Sequence, residues 1–436
     1  MYAHHKLCLI LVIATGSALA QTPPLIGMGD SLGEGVQSLN AFAESQPNTY
    51  LNRVATQMGV PFALPLLTTS PKANVYSDSG RSRISLTTDP ADLAFSGATT
   101  EDVLTSVANT GTPATEQDLI LPPYYGMSQM QIVEQVKPKM VIAWVGNDDL
   151  ISEILAYNDM GSQSGVTPLA TFASEYKELV SRLKATGATV VMSNIPDLTK
   201  VAWLFDNDDL TRYTGTNYNL PAGYVTAFET MVMLKLGVLP GSVLSDPSYV
   251  LSPAQLTAIE QQVQVYNKVI ADTANAAGFP VVDAYSVFES IIANPITIEG
   301  ITINTHYNGG AFSLDGIHPS DTGYAIFANA FINAANKGYG LSIPLVSKTQ
   351  FVQIFNADPY IDFGGNGVVA GRPYTGLLES LGPSLGLSGG QGGPTNTVTA
   401  AEFMRQYSLL KGQIPNPAFT SQDVIAAVED MFGHAH

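Results

Sequence analysis

Residue types that together can break an acyl bond stand at two places in this 436-residue chain. Ser31 follows the apolar run Leu25–Gly29, while Asp315 and His318 lie three residues apart just before Pro319. A serine hydroxyl becomes a nucleophile when a base takes its proton, and histidine can do so near neutral pH. Asp315 can fix the tautomer of the imidazole and stabilise its charged form. The pattern predicts a nucleophile, a base and an orienting carboxylate.

Two further residues could stabilise the negative charge that develops on an attacked carbonyl oxygen. Asn147 follows the apolar run 140–145, and Gly97 follows the run 93–95. Fixed N–H groups aimed at such an oxygen stabilise the transition state of acyl transfer. Taken singly, Ser31 reads as a helix cap, Asn147 as a turn residue and Gly97 as a tight bend. Together they follow proposed strands, whose carboxyl ends meet at one edge of a parallel sheet.

Short apolar runs alternate with helical patterns along the chain. The runs end in polar residues or glycine, as strands buried on both faces do, and are 25–29, 93–95, 140–145, 189–195 and 281–282. The helical patterns are 49–58, 127–137, 171–186, 253–277 and 321–336. This alternation predicts an α/β fold with a parallel sheet covered by helices on both faces.

These motifs and their order resemble those of the SGNH, or GDSL, hydrolase superfamily. Its four blocks are matched by GMGDSL from residue 27, SGAT from residue 96, GND from residue 146 and DGIHP from residue 315. The GND block lacks one residue between Gly and Asn. The resemblance spans residues 25–337. Among the members of the superfamily, the chain resembles exported bacterial lipase-like proteins. It implies a flavodoxin-like three-layer sandwich with a mostly parallel five-stranded sheet and large loop and helical insertions.

The same resemblance implies a role for each candidate site residue. Ser31 would be the nucleophile, His318 the base and Asp315 its orienting partner. The oxyanion hole would consist of the backbone N–H groups of Ser31 and Gly97 and the side chain of Asn147. We therefore expect a carboxylic ester hydrolase that needs no metal or cofactor and takes a small-molecule or lipid ester.

The ends of the chain carry separate predictions. Residues 1–20 combine a lysine, a short apolar run and an Ala-Leu-Ala sequence, which predicts a signal peptide cleaved near Ala20. We expect export to the periplasm, the cell surface or the medium. The hydrolase domain is expected at 21–339, with insertions at about 61–90, 198–250 and 286–312. A C-terminal extension, 340–436, is expected to pack on or beside it, with helices at 396–410 and 421–431.

The charge and composition of the chain narrow the classes of molecule that it could bind. The formal net charge of −18 argues against nucleic acid and anionic membranes. No stretch after the first twenty residues approaches the length of an apolar membrane span.

The acidic run Asp206, Asp208 and Asp209 lacks the spacing of a calcium loop. His306 could line the rim of the site, although a polar loop position is favoured. The oligomeric state stays open.

The insertion at 198–250 bears on the substrate. Its aromatic and methionine side chains are Trp203, Phe205, Tyr213, Tyr218, Tyr224, Phe228, Met231 and Met233. They could cover the site and bind a lipid-like or aryl acyl group, or they could pack a small core of their own. Two other functions remain open: a carbohydrate or peptidoglycan O-acetylesterase, and a non-catalytic binding protein on the same fold. The presence of every motif residue disfavours the last.

Overall fold

The computed structural model describes residues 23–68, 82–111, 113–156, 158–367, 369–371, 404, 405, 407–409, 411–414 and 427. The predicted signal peptide lies outside these residues, as do the predicted helices at 396–410 and 421–431 apart from a few positions. Among the described residues, no helix combines the length and apolar character that crossing a membrane requires.

The described strands form one main sheet and two small ones. In chain order they are β1 (Leu25–Gly29), β2 (Met140–Trp144), β3 (Thr189–Ser193), β4 (Leu204–Phe205), β5 (Val225–Ala227), β6 (Val250–Leu251), β7 (Val281–Val282), β8 (Ile296–Ile298) and β9 (Ile301–Ile303). The main sheet has the order β1-β2-β3-β7, and every pair in it is parallel. The small sheets, β4-β5-β6 and β8-β9, are antiparallel. The predicted α/β class with a parallel sheet is confirmed.

The fifth strand predicted at 93–95 does not form. This segment runs beside β1, and two of its amides donate to β1 carbonyls at 3.0 and 3.3 Å. In a parallel ladder the amide of Gly29 would donate to the carbonyl of Leu93. It donates instead to the Oε1 of Gln129 at 2.9 Å. The pairing is therefore reduced to a single bridge between Gly27 and Asp92.

Helices cover both faces of the main sheet. In chain order they are α1 (Ser31–Glu34), α2 (Tyr50–Met58), α3 (Thr100–Thr105), α4 (Glu116–Ile120), α5 (Gln129–Val136), α6 (Ser152–Leu155), α7 (Leu169–Thr186), α8 (Asn207–Thr214), α9 (Phe228–Lys235), α10 (Pro253–Ala277), α11 (Ala284–Ala293), α12 (Asp321–Tyr339) and α13 (Lys348–Ala357). The five predicted helices correspond to α2, α5, α7, α10 and α12, with ends that differ by at most three residues.

The alternation of side chains along the strands divides the core in two. In β1, Ile26 and Met28 pack with α3, α5, α7 and α10, whereas Leu25 packs with α2 and α12 on the opposite face. Successive strand residues point to opposite faces, so each strand serves both layers. This arrangement is a three-layer sandwich, and it leaves the carboxyl ends of β1 and β2 side by side.

Candidate active site

Ser31 stands where β1 gives way to α1. Gly29 ends the strand with φ of +150°, and a Cβ there would lie 2.3 Å from the carbonyl oxygen of Trp144 in the neighbouring strand. Only glycine fits so close an approach. Asp30 caps the helix, because its Oδ1 accepts the amide of Leu32 at 3.0 Å. Ser31 is the first residue of α1, so its own N–H has no acceptor inside the helix.

His318 joins Ser31 to Asp315 in one chain of hydrogen bonds. The Nε2 of His318 lies 2.8 Å from the Oγ of Ser31, and its Nδ1 lies 2.8 Å from the Oδ2 of Asp315. Asp315 is fully buried and His318 is 5% exposed, while Ser31 is half-buried. The three residues that the sequence singled out for a nucleophile, a base and an orienting carboxylate are therefore in contact.

Backbone amides hold the carboxylate of Asp315 in place. Its Oδ1 accepts the amides of Ile317 and His318, both at 2.8 Å, and its Oδ2 accepts the amide of Leu39 at 2.7 Å. Burial alone would raise the pKa of Asp315, but the charge of His318 and these hydrogen bonds outweigh it. The pKa of the carboxyl consequently lies below its ordinary value, which keeps the group ionised.

The turn that carries Asp315 and His318 rests on the 198–250 insertion. Gly316 has φ of +69°, and a Cβ there would lie 2.6 Å from the backbone of Ala202 and Trp203. The amide of Trp203 donates to the carbonyl of Gly316 at 3.0 Å. The hydroxyl of Tyr307 donates to the carbonyl of Leu314 at 2.7 Å. Residues 198–250 thus support the turn through Ala202 and Trp203.

Asn147 lies across from His318, just after β2, and its side chain is oriented by Asp30. The Nδ2 of Asn147 donates to the Oδ2 of Asp30 at 2.8 Å, and both residues are buried. An amide nitrogen carries two hydrogens, so one remains for a ligand oxygen. Burial raises the pKa of Asp30 to about 6, even though Asn147 and the amide of Leu32 donate to it. Sequence reasoning did not assign Asp30 this second role.

Gly97 is tied to the helix that carries Ser31. It is exposed and has φ of +78°. The amide and the hydroxyl of Ser96 both donate to the Oε2 of Glu34, the last residue of α1, at 2.6 Å. Gly97 does not itself line the pocket at Ser31. The structure therefore brings Ser31 and Asn147 to one pocket and attaches the Gly97 turn to its edge.

A pocket of about 720 Å³, including its mouth, opens at Ser31. Its polar lining residues are Ser31, Asn147, Asp148 and His318, and the other lining residues are apolar or glycine. The apolar walls come from residues 196–201, from α11, from the loop before α12 and from α12 itself. Polar groups thus converge at one place in an otherwise apolar cavity, which is the usual form of a small-molecule site.

The aromatic side chains of the 198–250 insertion pack mainly on one another. The rings of Trp203 and Phe228 stack 5.2 Å apart, and Phe205 lies 5.1 Å from Tyr307. Of the insertion, all of which the structure describes, only Leu198 and Val201 line the pocket. The geometry favours core packing over an aromatic cover for the site. The core is not a separate one, because Trp203 and Phe228 belong to the same hydrophobic cluster as Met28 of β1. Sequence reasoning missed the aromatic residues that line the pocket, which are Trp144, Phe288, Phe312 and Phe327.

The remaining sequence candidates have structural roles. Asp206 caps α8 by accepting the amides of Asp208 and Asp209, both at 2.9 Å. His306 is exposed and pairs with Asp209 at 3.6 Å, away from the pocket at Ser31. Within the part of the chain that the structure describes, no group of histidine and carboxylate side chains is arranged to hold a metal ion.

Solved structures similar to this chain include two hydrolases. The acetylxylan esterase Axe2 from Geobacillus stearothermophilus is 14% identical, with 73% of this chain and 94% of that chain covered at a TM-score of 0.35. LAE5, an alpha/beta hydrolase enzyme from the metagenome of Lake Arreo, is also 14% identical, with 72% and 94% covered at a TM-score of 0.35. No curated protein sequence matches the chain.

A family model gives the assignment. The model described as GDSL-like Lipase/Acylhydrolase matches residues 25–331, which are 307 of the 436 residues. This range begins at β1, ends within α12 and contains all four motifs, which confirms the resemblance drawn from them. The chain therefore belongs to the GDSL-like lipase/acylhydrolase family.

Proposed function

We propose that the protein hydrolyses carboxylic esters through an acyl-enzyme on Ser31. The observation that carries this proposal is the unbroken chain of contacts from the Oγ of Ser31 through His318 to the buried carboxylate of Asp315, each 2.8 Å long. A nucleophile, a base and an orienter within hydrogen-bond reach are what nucleophilic acyl transfer requires.

In the first half-reaction, the Nε2 of His318 takes the hydroxyl proton while the Oγ of Ser31 bonds to the ester carbonyl carbon. The carbonyl oxygen gains negative charge, and the N–H groups of Ser31, Gly97 and the Asn147 side chain would stabilise it. The tetrahedral intermediate collapses, the bond to the alcohol oxygen breaks, and His318 donates its proton to the leaving alcohol. Asp315 stabilises the imidazolium throughout.

In the second half-reaction, water replaces the alcohol. His318 takes a proton from the water as its oxygen attacks the acyl carbon of the ester on Ser31. Collapse of the second intermediate releases the carboxylic acid, and the proton on His318 returns to the Oγ of Ser31. The free enzyme is regenerated without a metal or an organic cofactor.

The apolar lining of the pocket supports an ester with an apolar acyl group, lipid-like or aryl. Apart from Ser31, Asn147, Asp148 and His318, the lining offers no side-chain hydrogen-bonding group beyond the indole N–H of Trp144, which donates to the carbonyl of Asn194 at 3.0 Å. A carbohydrate ring needs polar partners when it leaves water. An O-acetylesterase on the same machinery is the alternative, with the sugar held outside this pocket.

The test is hydrolysis of p-nitrophenyl esters by a Ser31→Ala variant. We expect loss of turnover with an unchanged circular dichroism spectrum, because the nucleophile is gone and the fold is not. Ser290→Ala, an exposed serine on α11, is the matched control and should retain full activity. Undiminished hydrolysis by Ser31→Ala would contradict the proposal, and acetate release from acetylated polysaccharide alone would select the alternative.

We also propose that the enzyme is exported and works without residues 1–20. The lysine, the apolar run and the Ala-Leu-Ala sequence of that segment support this. Expression in a bacterial host followed by intact-mass measurement should yield a mature chain that begins at Gln21. A cytoplasmic protein that retains its first residues would contradict export.

A further inference from the structure

One wall of the pocket at Ser31 is formed by side chains from two separate segments. Phe288 and Ile291 lie on α11, and Phe312 lies on the loop that leads to His318. Residues three apart on a helix face the same side, so Phe288 and Ile291 present one apolar surface. Each is 4% exposed, and Phe312 is 7% exposed. The wall is therefore nearly closed to solvent.

The two segments of this wall are locked to each other. The rings of Phe288 and Phe312 meet edge to face, with centroids 5.6 Å apart and planes at 80°. This is a favoured geometry for an aromatic pair. The backbone of Phe312 also bridges to that of Pro319, the neighbour of His318. The position of the wall is thus fixed relative to the base.

We propose that Phe288, Ile291 and Phe312 set the length of the acyl chain that the enzyme accepts. The inference rests on the proposed ester hydrolysis and specifies its substrate. Polar groups gather at Ser31 and His318, so the acyl carbon must lie there and the apolar remainder of the acyl group must extend along the apolar lining. An acetyl group ends in a single methyl and would contact little of this apolar lining. The expected substrate is an ester with a medium-length apolar acyl chain.

The physical basis of this selectivity is burial of methylene groups up to the wall. Each methylene that leaves water for an apolar site contributes about fourfold to kcat/KM. A chain that reaches Phe288, Ile291 or Phe312 meets closely packed atoms, and further methylenes then cost binding instead of adding to it. The profile of kcat/KM against chain length should rise, peak and fall.

The experiment measures kcat/KM for p-nitrophenyl esters from acetate to dodecanoate. Ile291→Ala should move the peak to longer chains and raise the ratio of long-chain to short-chain kcat/KM by about tenfold or more. Ile292→Ala is the matched control: Ile292 is the adjacent isoleucine of α11, half-buried and not part of the pocket lining. The control should keep the profile of the unmodified enzyme.

A second variant tests the same wall in the opposite direction. Ile291→Phe adds volume, so it should shift the peak to shorter chains. Because the variants remove or add volume, a fold failure in one leaves the other to give the answer.

The inference would be overturned by a peak that neither Ile291 variant moves, or by an equal shift in Ile292→Ala. An unmodified enzyme whose kcat/KM is highest for acetate and falls steadily would also overturn it. These outcomes differ from failure of the proposed function, which would appear as full activity in Ser31→Ala.

Discussion

Two fully buried aspartates flank Ser31, and their pKa values shift in opposite directions. Asp315 has a pKa below the ordinary value, whereas the pKa of Asp30 is raised to about 6. Both are 0% exposed. Burial opposes ionisation in both, so the partners decide the difference. Asp315 contacts a basic imidazole and three backbone amides, while Asp30 receives neutral donors, from Asn147 and Leu32.

The difference matches two tasks. In the proposed mechanism, Asp315 stabilises a positive charge on His318, and an ionised carboxylate can do so. The Asp30 side must hold the amide of Asn147 in one orientation, for which a hydrogen-bond acceptor suffices. The charge of Asp149 adds to the effect of burial and raises the pKa of Asp30 further. Substitutions on the two sides should therefore have different signatures.

The largest effect is expected from Asp315→Asn. An asparagine keeps the volume but removes the charge and can hold the wrong tautomer of His318, so kcat should fall by about 10³–10⁴-fold. Steady-state hydrolysis of p-nitrophenyl butyrate measures this, with Asp362→Asn on a surface loop as control. A loss of kcat below tenfold would mean that Asp315 and Asp30 contribute to activity in the same way.

Asn147→Ala should lower kcat by about 10²–10³-fold, because one oxyanion donor is lost. KM should change little, since the donor acts chiefly on the transition state. A change confined to KM would place Asn147 in substrate binding and would remove the proposed oxyanion role.

Asp30→Asn should have a smaller effect on kcat, about tenfold, and a characteristic effect on stability against pH. The folded-state pKa of about 6 exceeds the ordinary value of 3.8, so the folded state binds the proton more tightly. Asp30 therefore lowers the free energy of unfolding as pH rises from about 4 to 6, by about 3 kcal/mol in total. Below about pH 4, the contribution of Asp30 to the free energy of unfolding is fully present.

Urea denaturation at several pH values compares the two proteins. The unmodified enzyme should lose stability between pH 4 and pH 6 relative to Asp30→Asn. Parallel stability curves for the two proteins would show that Asp30 does not titrate differently on folding, and the proposed contrast with Asp315 would fail.

The smallest effect is expected from Tyr307→Phe, which tests the support of the Asp315 side. The hydroxyl of Tyr307 donates to the carbonyl of Leu314, next to Asp315. Its loss should cost about 1 kcal/mol of stability and lower kcat a few-fold. Tyr339→Phe removes a similar bond, to Val190, far from the site along the chain. Equal losses of kcat in both variants would show that the hydrogen bond of Tyr307 has no specific role in positioning Asp315.

The proximity of Ser31 and Asn147 was predictable because each follows a strand of the parallel sheet, whose carboxyl ends meet at one edge. Asp315 and His318 follow no strand of that sheet, and their place beside Ser31 was predicted from the types and spacing of the motif residues. The prediction of a strand at 93–95 was wrong because the side chain of Gln129, distant along the chain, accepts the amide of Gly29 that the ladder needs. Propensity alone does not reveal such competition.

The pocket walls were not predictable from local sequence. Phe288 and Phe312 are 24 residues apart and become a wall only through tertiary packing. The aromatic residues at 198–250 are more conspicuous in the composition, but they pack into the main hydrophobic core and support the Asp315 turn. Composition indicates that aromatic side chains will be buried, and it does not indicate what they will face.

Covalent labelling tests the central claim, that Ser31 is the nucleophile, most directly. The enzyme would be treated with a fluorophosphonate, digested and analysed by tandem mass spectrometry. We expect a single adduct on Ser31, which His318→Ala prevents because the base that activates the hydroxyl is gone. No adduct, or an adduct on another serine that persists in Ser31→Ala, would contradict the account.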